Sequence, residues 1–262
     1  MEIAGYLSAG LIGLTLGLIG GGGSILTVPV LVYLFGIEMT TASAYSLFIV
    51  GATSLVGSWQ KYCSGLVELK TALLFGLPSI VAVYLTRAYL VPAIPGEIAD
   101  WGFIVLTRNL LLMLIFAVLM IFAAISMIRP SKTKASQTKS GFRYSFILLE
   151  GSVVGILTGL VGAGGGFLII PALVLFTGLS MKMAVGTSLV IIAAKSLLGF
   201  TGDLGHLHPD WTLVLSVTAL AIAGIFVGNY LAHRIDGEKL KKSFGWFVLL
   251  MGLYILVKEL WA

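Results

Sequence analysis

The chain has 262 residues, of which 58% are hydrophobic and only 10% are charged. At a mean hydropathy of +1.07 it has too few polar residues to cover a soluble domain, which excludes the soluble globular class. The net charge of +5 comes from basic residues in short segments between apolar spans. Positive-inside topology explains this charge better than nucleic-acid binding, so we expect no nucleic acid as a partner. The single cysteine, Cys63, excludes an intrachain disulfide and a cysteine-based metal cluster.

Apolar segments follow one another along the chain, and their lengths separate full membrane spans from shorter pieces. The predicted segments are 4–19, 24–36, 40–58, 69–91, 102–128, 144–161, 166–178, 183–201, 211–233 and 243–260. Segments 24–36 and 166–178 are too short to cross a hydrocarbon core of about 30 Å at about 1.5 Å per residue. We interpret each as a half-helix that a glycine turn joins to the preceding helix as a broken hairpin.

Two glycine runs, Gly20–Gly23 and Gly162–Gly166 (interrupted by Ala163), mark an internal duplication. Residues 13–57 and 155–199, which lie 142 positions apart, share 20 identities in 45 positions. Near-consecutive glycines cost about 1 kcal/mol each in a helix, so each run is expected to break its helix. Irregular backbone at membrane depth must line a cavity or be covered by protein. A duplicated segment of this kind is typical of transporters whose site lies between the two breaks.

Charge placement predicts the orientation of the two repeats. Residues 129–143 are polar and basic, and we predict a cytoplasmic linker there, between a first repeat (1–128) and a second (144–262). Twelve of the 16 Lys and Arg residues then lie on the inner side, Arg87, Arg108 and Lys258 lie at outer ends, and Lys195 lies in the membrane. Three crossings separate the starts of the repeats, so the repeats are inverted and both termini lie outside. The predicted fold class is an all-α polytopic membrane protein with two inverted-topology repeats, each with a Gly-broken helical hairpin, in the cytoplasmic membrane.

The glycine runs do not match nucleotide-binding loops. A P-loop requires Lys and then Ser or Thr after its last glycine, whereas Ser24-Ile25 and Phe167-Leu168 follow the runs here. Four glycines spaced by four precede the runs, and we interpret them as sites of close helix packing. They are Gly13, Gly17, Gly155 and Gly159.

The runs themselves predict an anion site made of backbone. They should free the N–H groups of Ser24 to Thr27 and of Phe167 to Ile170, which carry the positive ends of the half-helix dipoles. If both ends face the midplane, they form a two-sided anion site.

The helix after each hairpin adds polar side chains at matching positions. Ser46 and Thr53 in the first repeat correspond to Ser188 and Lys195 in the second, and Thr187 is adjacent. Lys195 lies 13 residues beyond Lys182, or about 20 Å along the helix, too deep to reach the inner surface easily. It is a functional candidate, and the alternative is an ion pair with Glu150 that fixes the fold.

Three further groups have two interpretations each. Glu150 lies seven residues past Arg143, near the inner surface, where a surface salt bridge and a proton-coupling role both fit. Arg108 could extend outward to the interface or guide an anion. His206 and His208 flank an acidic outer loop, which we interpret as a solvated loop, with no metal site expected. The predicted substrate-binding residues are Gly20, Gly21, Gly22, Gly23, Ser24, Ser46, Thr53, Gly162, Gly164, Gly165, Gly166, Phe167, Thr187, Ser188 and Lys195.

The paired Gly-rich hairpins ending in proline, residues 17–29 and 159–171, are each followed by a Ser-bearing helix. This pattern resembles the sulfite exporter TauE/SafE family over nearly the whole chain. The resemblance implies a prokaryotic-type cytoplasmic-membrane transporter for small sulfur-containing or organic anions, such as sulfite or sulfoacetate. It also implies a site at the repeat interface, on Gly20–Ser24 and Gly162–Phe167. Lys195 comes from the residue argument and not from the family pattern.

The predicted function is a secondary transporter, specifically an exporter, of a small anion. No nucleotide-binding motif is present, and an inside-negative potential favours anion efflux. An anion channel or a membrane subunit of a larger transport complex is the alternative. An enzyme is not expected, because the nearest serine motif, Tyr62 to Gly65, lies in a predicted cytoplasmic loop. The expected partners are a small anion and the lipid bilayer, no cofactor is expected, and a homodimer stays open.

Overall fold

The computed structural model describes residues 2–100, 105–128, 141–207, 209–232 and 237–261. The first half contains α1 (Glu2–Ile19), a 3₁₀ helix (Gly21–Leu26), α2 (Thr27–Tyr33), α3 (Met39–Cys63), α4 (Leu69–Leu85), a π-helical turn (Thr86–Leu90), α5 (Val91–Ala93), β1 (Glu97–Asp100), β2 (Val105–Thr107) and α6 (Arg108–Ile128). The second half contains α7 (Gly141–Val161), α8 (Gly166–Ala172), a π-helical turn (Leu173–Thr177), α9 (Met181–Asp203), α10 (Trp211–Ala232) and α11 (Gly237–Trp261).

All helix ends lie within six residues of the predicted segments, and one segment also differs in its type of secondary structure. The helix predicted over 102–128 begins only at Arg108, because residues 105–107 are extended and pair antiparallel with 97–100. The sequence analysis did not predict this two-stranded ribbon. Most of the predicted basic linker, residues 129–140, lies outside the described residues, and α7 begins at Gly141.

The described helices form an all-α membrane protein. Five of them are long and apolar enough to cross a bilayer: α3, α4 with its continuation to Ala93, α6, α9 and α10. Their outer faces expose apolar side chains, as on α4, where Leu73, Leu77 and Val81 are 60%, 58% and 57% exposed at spacings of one helical turn. A surface of this kind is stable against lipid and not against water.

Helices that lie 142 residues apart in the sequence occupy equivalent places in the packing. Helix α1 packs against α10, and its equivalent α7 packs against α4, while α3 packs against its own equivalent α9. Gly13 and Gly17 lie against the α10 backbone at Ala221 and Ile225. Gly155 and Gly159 lie against α4 at Ser79 and against Thr86 of the π-helical turn after it. The packing interpretation of these four glycines is therefore confirmed.

Hydrogen bonds across the two halves show the same offset. The Glu68 backbone N–H donates to Thr187 Oγ1 over 3.0 Å, and the Asp210 N–H donates to the Tyr45 hydroxyl over 2.7 Å. Each acidic residue also caps the helix that follows it, through the N–H of Thr71 and of Leu213. The two loops are therefore fastened in the same way.

The equivalent helices α3 and α9 run antiparallel. Leu47 contacts Gly199, Gly51 contacts Leu197 and Gly57 contacts Leu189, so positions rise along α3 as they fall along α9. Helices α6 and α11 show the same order, with Gly245 against Met127 and Gly252 against Met120.

Candidate functional site

Both glycine runs interrupt their helices with left-handed backbone. Helix α1 ends at Ile19 and Gly20 has φ +75°, while α7 ends at Val161 and Gly162, Gly164 and Gly165 have φ values of +74°, +62° and +71°. Glycine adopts this region without steric cost because it has no Cβ.

The two runs contact each other directly. Gly21 and Gly166 lie backbone to backbone, and a methyl group built on either glycine would overlap the other. Gly164 lies beside Ser24, which follows the first run, and between Val50 of α3 and Ile192 of α9. Since Val50 and Ile192 are themselves equivalent positions, both breaks and both equivalent helices meet at one place, which we call the glycine contact.

The prediction that the glycine runs leave the following N–H groups free is partly wrong. The Thr27 N–H donates to the Ser24 carbonyl, and the N–H groups of Leu168 and Ile169 donate to the Gly165 carbonyl over 3.0 Å. The reason is local: a 3₁₀ helix continues into α2, and Gly165 caps α8. The Ser24 hydroxyl also turns inward, donating to the Gly21 carbonyl over 2.7 Å.

Lys195 lies at the second glycine run. It is fully buried, and its Nζ donates to Thr158 Oγ1 over 2.8 Å. A methyl group on Gly165 would lie 2.8 Å from the same Nζ, so the ammonium occupies the space that this glycine leaves open.

The alternative of an ion pair between Lys195 and Glu150 is wrong. No carboxylate of the described side chains forms an ion pair with Lys195, and Glu150 is half-buried with an oxygen that has no hydrogen-bond partner. The surface salt bridge expected for Glu150 stays a prediction, because the side chain of Arg143, the nearest basic residue before it, lies outside the described residues.

The predicted hydroxyls divide into two groups. Thr53 and Ser188 donate to carbonyls of their own helices, at Ile49 and Val185, and Thr187 accepts from the loop at Glu68. The structure thus places Thr187 at a loop and not at the glycine contact. The predicted Ser46 is instead buried without a hydrogen-bond partner, and so are two further hydroxyls of α3 and α9, Ser54 and Ser196. Ser54 and Ser196 are equivalent positions of the two repeats.

Two other predicted site residues make packing contacts. Phe167 is 3% exposed and belongs to the apolar core that α6 lines with Leu112 and Phe116. Gly20 lies against the Val185 side chain.

Arg87 is the polar residue whose position the sequence analysis missed. The placement of charges along the sequence predicted that Arg87 lies at an outer helix end, but its side chain is fully buried. Its Nη1 lies 3.6 Å from Asp203 Oδ1 and donates to Ser43 Oγ over 2.9 Å. A basic residue late in the apolar segment 69–91 and an acidic residue just after the segment 183–201 were the available signal, but pairing them requires knowing that the two segments are neighbours.

The glycine contact is closed in this conformation. Ser24, Thr27 and Lys195 are fully buried. Three surface grooves lie elsewhere: between α4 and α7, between α2 and α11, and beside the C-terminal end of α3. They are apolar and face outward. Access to the contact therefore requires helices to move.

The loop with His206 provides no assembled metal centre in the described part of the chain. No group of three His, Cys, Asp or Glu side chains there could hold a metal ion. His208 lies outside the described residues.

Comparison with known proteins is consistent with this architecture. The profile of the sulfite exporter TauE/SafE family matches residues 6–255. A probable membrane transporter protein of Xylella fastidiosa (strain 9a5c) is 31% identical over 264 residues, covering 97% of this chain and 94% of the relative. The probable membrane transporter protein YdhB of Bacillus subtilis is 27% identical, covering 94% and 96%. The match spans nearly the whole chain, so the protein belongs to the sulfite exporter TauE/SafE family of membrane transporters.

Proposed function

We propose that this protein is a secondary transporter that exports a small anion, sulfite or a related sulfur-containing or organosulfonate anion. The anion binds near the bilayer midplane, at the glycine contact. One observation carries the proposal: the Lys195 ammonium is fully buried without an acidic partner among the described residues.

The balance of buried charge supports an anionic ligand. The buried charged side chains of the described residues are Arg87, Lys195 and Asp203, and Arg87 and Asp203 pair with each other. One positive charge is left over, and an unpaired buried charge is costly. An anion beside Lys195 supplies the missing charge, at a depth where ionisable groups are functional by default.

The surroundings of Lys195 suit a small oxyanion. Gly165 lets backbone approach closely, and hydroxyls without partners lie on the two helices that meet here, at Ser46, Ser54 and Ser196. Such buried groups normally find a hydrogen-bond partner. We propose that small shifts of α3 and α9 direct these hydroxyls to the oxygens of the bound anion.

The fold supports an inverted pair of repeats, residues 1–128 and 144–262. Equivalent helices α3 and α9 run antiparallel, whereas a parallel repeat would make them run in the same direction. The matched bonds of Glu68 and Asp210 belong to opposite membrane sides in this arrangement. Both termini then lie outside the cytoplasmic membrane, and the basic linker lies inside.

Transport requires the closed contact to open to each side in turn. Rocking of one repeat against the other is the usual means for a site at a repeat interface. The inside-negative membrane potential drives an anion outward. Glu150, half-buried with an oxygen that has no partner, is the candidate for proton coupling.

Counterflow in proteoliposomes tests the proposal. Vesicles preloaded with unlabelled sulfite should transiently accumulate labelled sulfite, with saturable rates, and competition by sulfate, thiosulfate and sulfonates should define the substrate class. A carrier exchanges in this way. A linear, non-saturating flux would indicate the anion channel instead, and no flux of any of these anions would contradict the proposal.

A further inference from the structure

We propose that Arg87 and Ser43 form a second anion site at the outer end of the pathway, which the Asp203 carboxylate occupies when no anion is bound. The exported anion passes from Lys195 to Arg87 and displaces Asp203 as it leaves. This inference rests on the proposed function and assigns a residue and a direction to it.

The Arg87 guanidinium uses only some of its hydrogen-bond donors. Nη1 contacts Asp203 and Ser43, but Nε and Nη2 are buried without a hydrogen-bond partner, and so is Asp203 Oδ2. A guanidinium offers paired donors in a plane that match an oxyanion. The pair at 3.6 Å therefore leaves donors that an anion with several oxygens would use.

The local backbone is also unusual. Arg87 lies in the π-helical turn Thr86–Leu90 between α4 and α5. Single π turns within helices are frequent at functional sites, because they turn a side chain away from its regular direction. Here the turn lies beside Gly202 of α9, whose neighbour Asp203 is the partner of Arg87.

Arg87 lies in line with the glycine contact. Ser43, which accepts from Arg87, has its backbone against Gly162, and Thr86 lies against Gly159. Lys195 contacts Thr158 in the same last turn of α7. Asp203 follows Lys195 by eight residues on α9, or about 12 Å along the helix. An anion leaving Lys195 toward the outside thus meets Arg87 next.

The position equivalent to Arg87 in the second repeat holds an uncharged residue, so the fold does not require a charge at this position. Asn229 stands where the offset of 142 residues puts the counterpart of Arg87. Its Nδ2 donates to Gln60 Oε1 of α3, an uncharged pair between the equivalent helices. A neutral hydrogen bond thus connects α10 with α3, whereas a buried ion pair between Arg87 and Asp203 connects the helical segment after α4 with α9.

The test separates binding from folding by three variants. In Asp203→Asn the internal competitor is gone, so sulfite should bind at least about threefold more tightly, even though the variant loses an ion pair. In Arg87→Gln, sulfite affinity should fall about tenfold or more. The double variant should melt closer to wild type than either single variant and still bind weakly.

Affinity is measured as sulfite-dependent thermal stabilisation of the purified full chain in detergent, at constant ionic strength set with chloride. The other arginine near the outer end of the described helices is Arg108, whose Nη1 donates to the Ile94 carbonyl and not toward Lys195 or Arg87. Arg108→Gln therefore serves as the charge-matched control. It should leave the affinity close to that of wild type.

Unchanged sulfite affinity in Asp203→Asn, or equal losses in Arg87→Gln and Arg108→Gln, would overturn the outer site. These outcomes differ from failure of the proposed function, in which sulfite and related anions would not stabilise the wild-type protein at all. If wild type is stabilised and Lys195→Met is not, while Arg87→Gln matches wild type, the glycine contact stands and the outer site fails.

Discussion

The Lys195 ammonium donates a hydrogen bond of 2.8 Å to Thr158, in the last turn of α7. This contact gives the lysine two possible roles. The C-terminal end of a helix carries partial negative charge, which stabilises a nearby cation and could fix the fold. The same position presents the ammonium to the glycine contact. The roles differ in what happens when the hydrogen bond or the charge is removed.

Replacing Thr158 by valine should separate these roles. The change keeps the shape of the side chain but leaves a buried ammonium without its acceptor, so the free energy of unfolding should fall by about 1–3 kcal/mol. Bound sulfite should recover much of this loss, because the anion provides the missing acceptor. Thermal unfolding with and without sulfite measures both effects.

Thr218→Val is the control for this experiment. Its hydroxyl is buried and donates only to its own helix carbonyl at Val214, so sulfite should not compensate for its loss. Equal compensation in both variants would show that the anion acts elsewhere.

The space at Gly165 can be tested with a single methyl group. Gly165→Ala should abolish most sulfite transport, because the methyl group would lie 2.8 Å from Lys195 Nζ and overlap Thr158. Gly36→Ala is the matched control. Gly36 has nearly the same φ, +70°, but no atom within 4 Å of its added Cβ.

Both variants carry the backbone strain of a left-handed residue, of order 1 kcal/mol. Only Gly165→Ala also fills the site. Vesicle flux, corrected for the amount of inserted protein, should therefore be near wild type in Gly36→Ala. A similar loss in both variants would mean that strain, and not occupancy of the site, explains the effect.

The native cysteine tests the orientation. Cys63 is exposed at the end of α3. The placement of charges along the sequence predicts that this end lies on the cytoplasmic side. A membrane-impermeant maleimide should therefore label it only after the cells are permeabilised. In a Cys63→Ser background, Glu2→Cys should be labelled in intact cells. The reverse pattern would contradict the predicted orientation, and labelling of both from one side would show that the positions share that side.

Glu68 gives a pH-dependent contribution to stability outside the membrane spans. Its carboxylate accepts from the Thr71 N–H as the N-cap of α4, and this hydrogen bond lowers the pKa of the Glu68 carboxyl below its usual value. A lowered pKa means that the stabilisation is present above the unfolded-state pKa and disappears as the pH falls through the folded-state pKa.

Glu68→Gln should thus lower stability at neutral pH by about 0.5–2 kcal/mol, with the difference from wild type closing in acid. Glu38→Gln is the control, since Glu38 occupies the N-cap of α3 without a side-chain cap bond. Unfolding midpoints measured from neutral to acidic pH decide this. A constant gap between Glu68→Gln and wild type at all pH values would contradict the cap.

The sequence predicted the features that depend on local pattern. Apolar length predicts the start of α4 and both ends of α10 to within one residue, and the glycine runs mark the helix breaks because consecutive glycines disfavour a helix. What it missed depends on contacts between distant residues. Arg87 looked like an interface residue because Asp203 lies on another helix, and Thr187 looked like a ligand because its loop partner, Glu68, is far away in sequence.

Sulfite binding to Lys195→Met and Lys195→Arg, measured with the melting temperature of the same samples, tests the central claim most directly. We predict that Lys195→Met loses sulfite-dependent stabilisation while its own melting temperature stays near or above that of wild type, because a buried charge without an acidic partner has been replaced by an apolar side chain of similar length. Lys195→Arg should retain part of the stabilisation. A Lys195→Met protein that melts far below wild type yet binds sulfite with wild-type affinity would contradict the account.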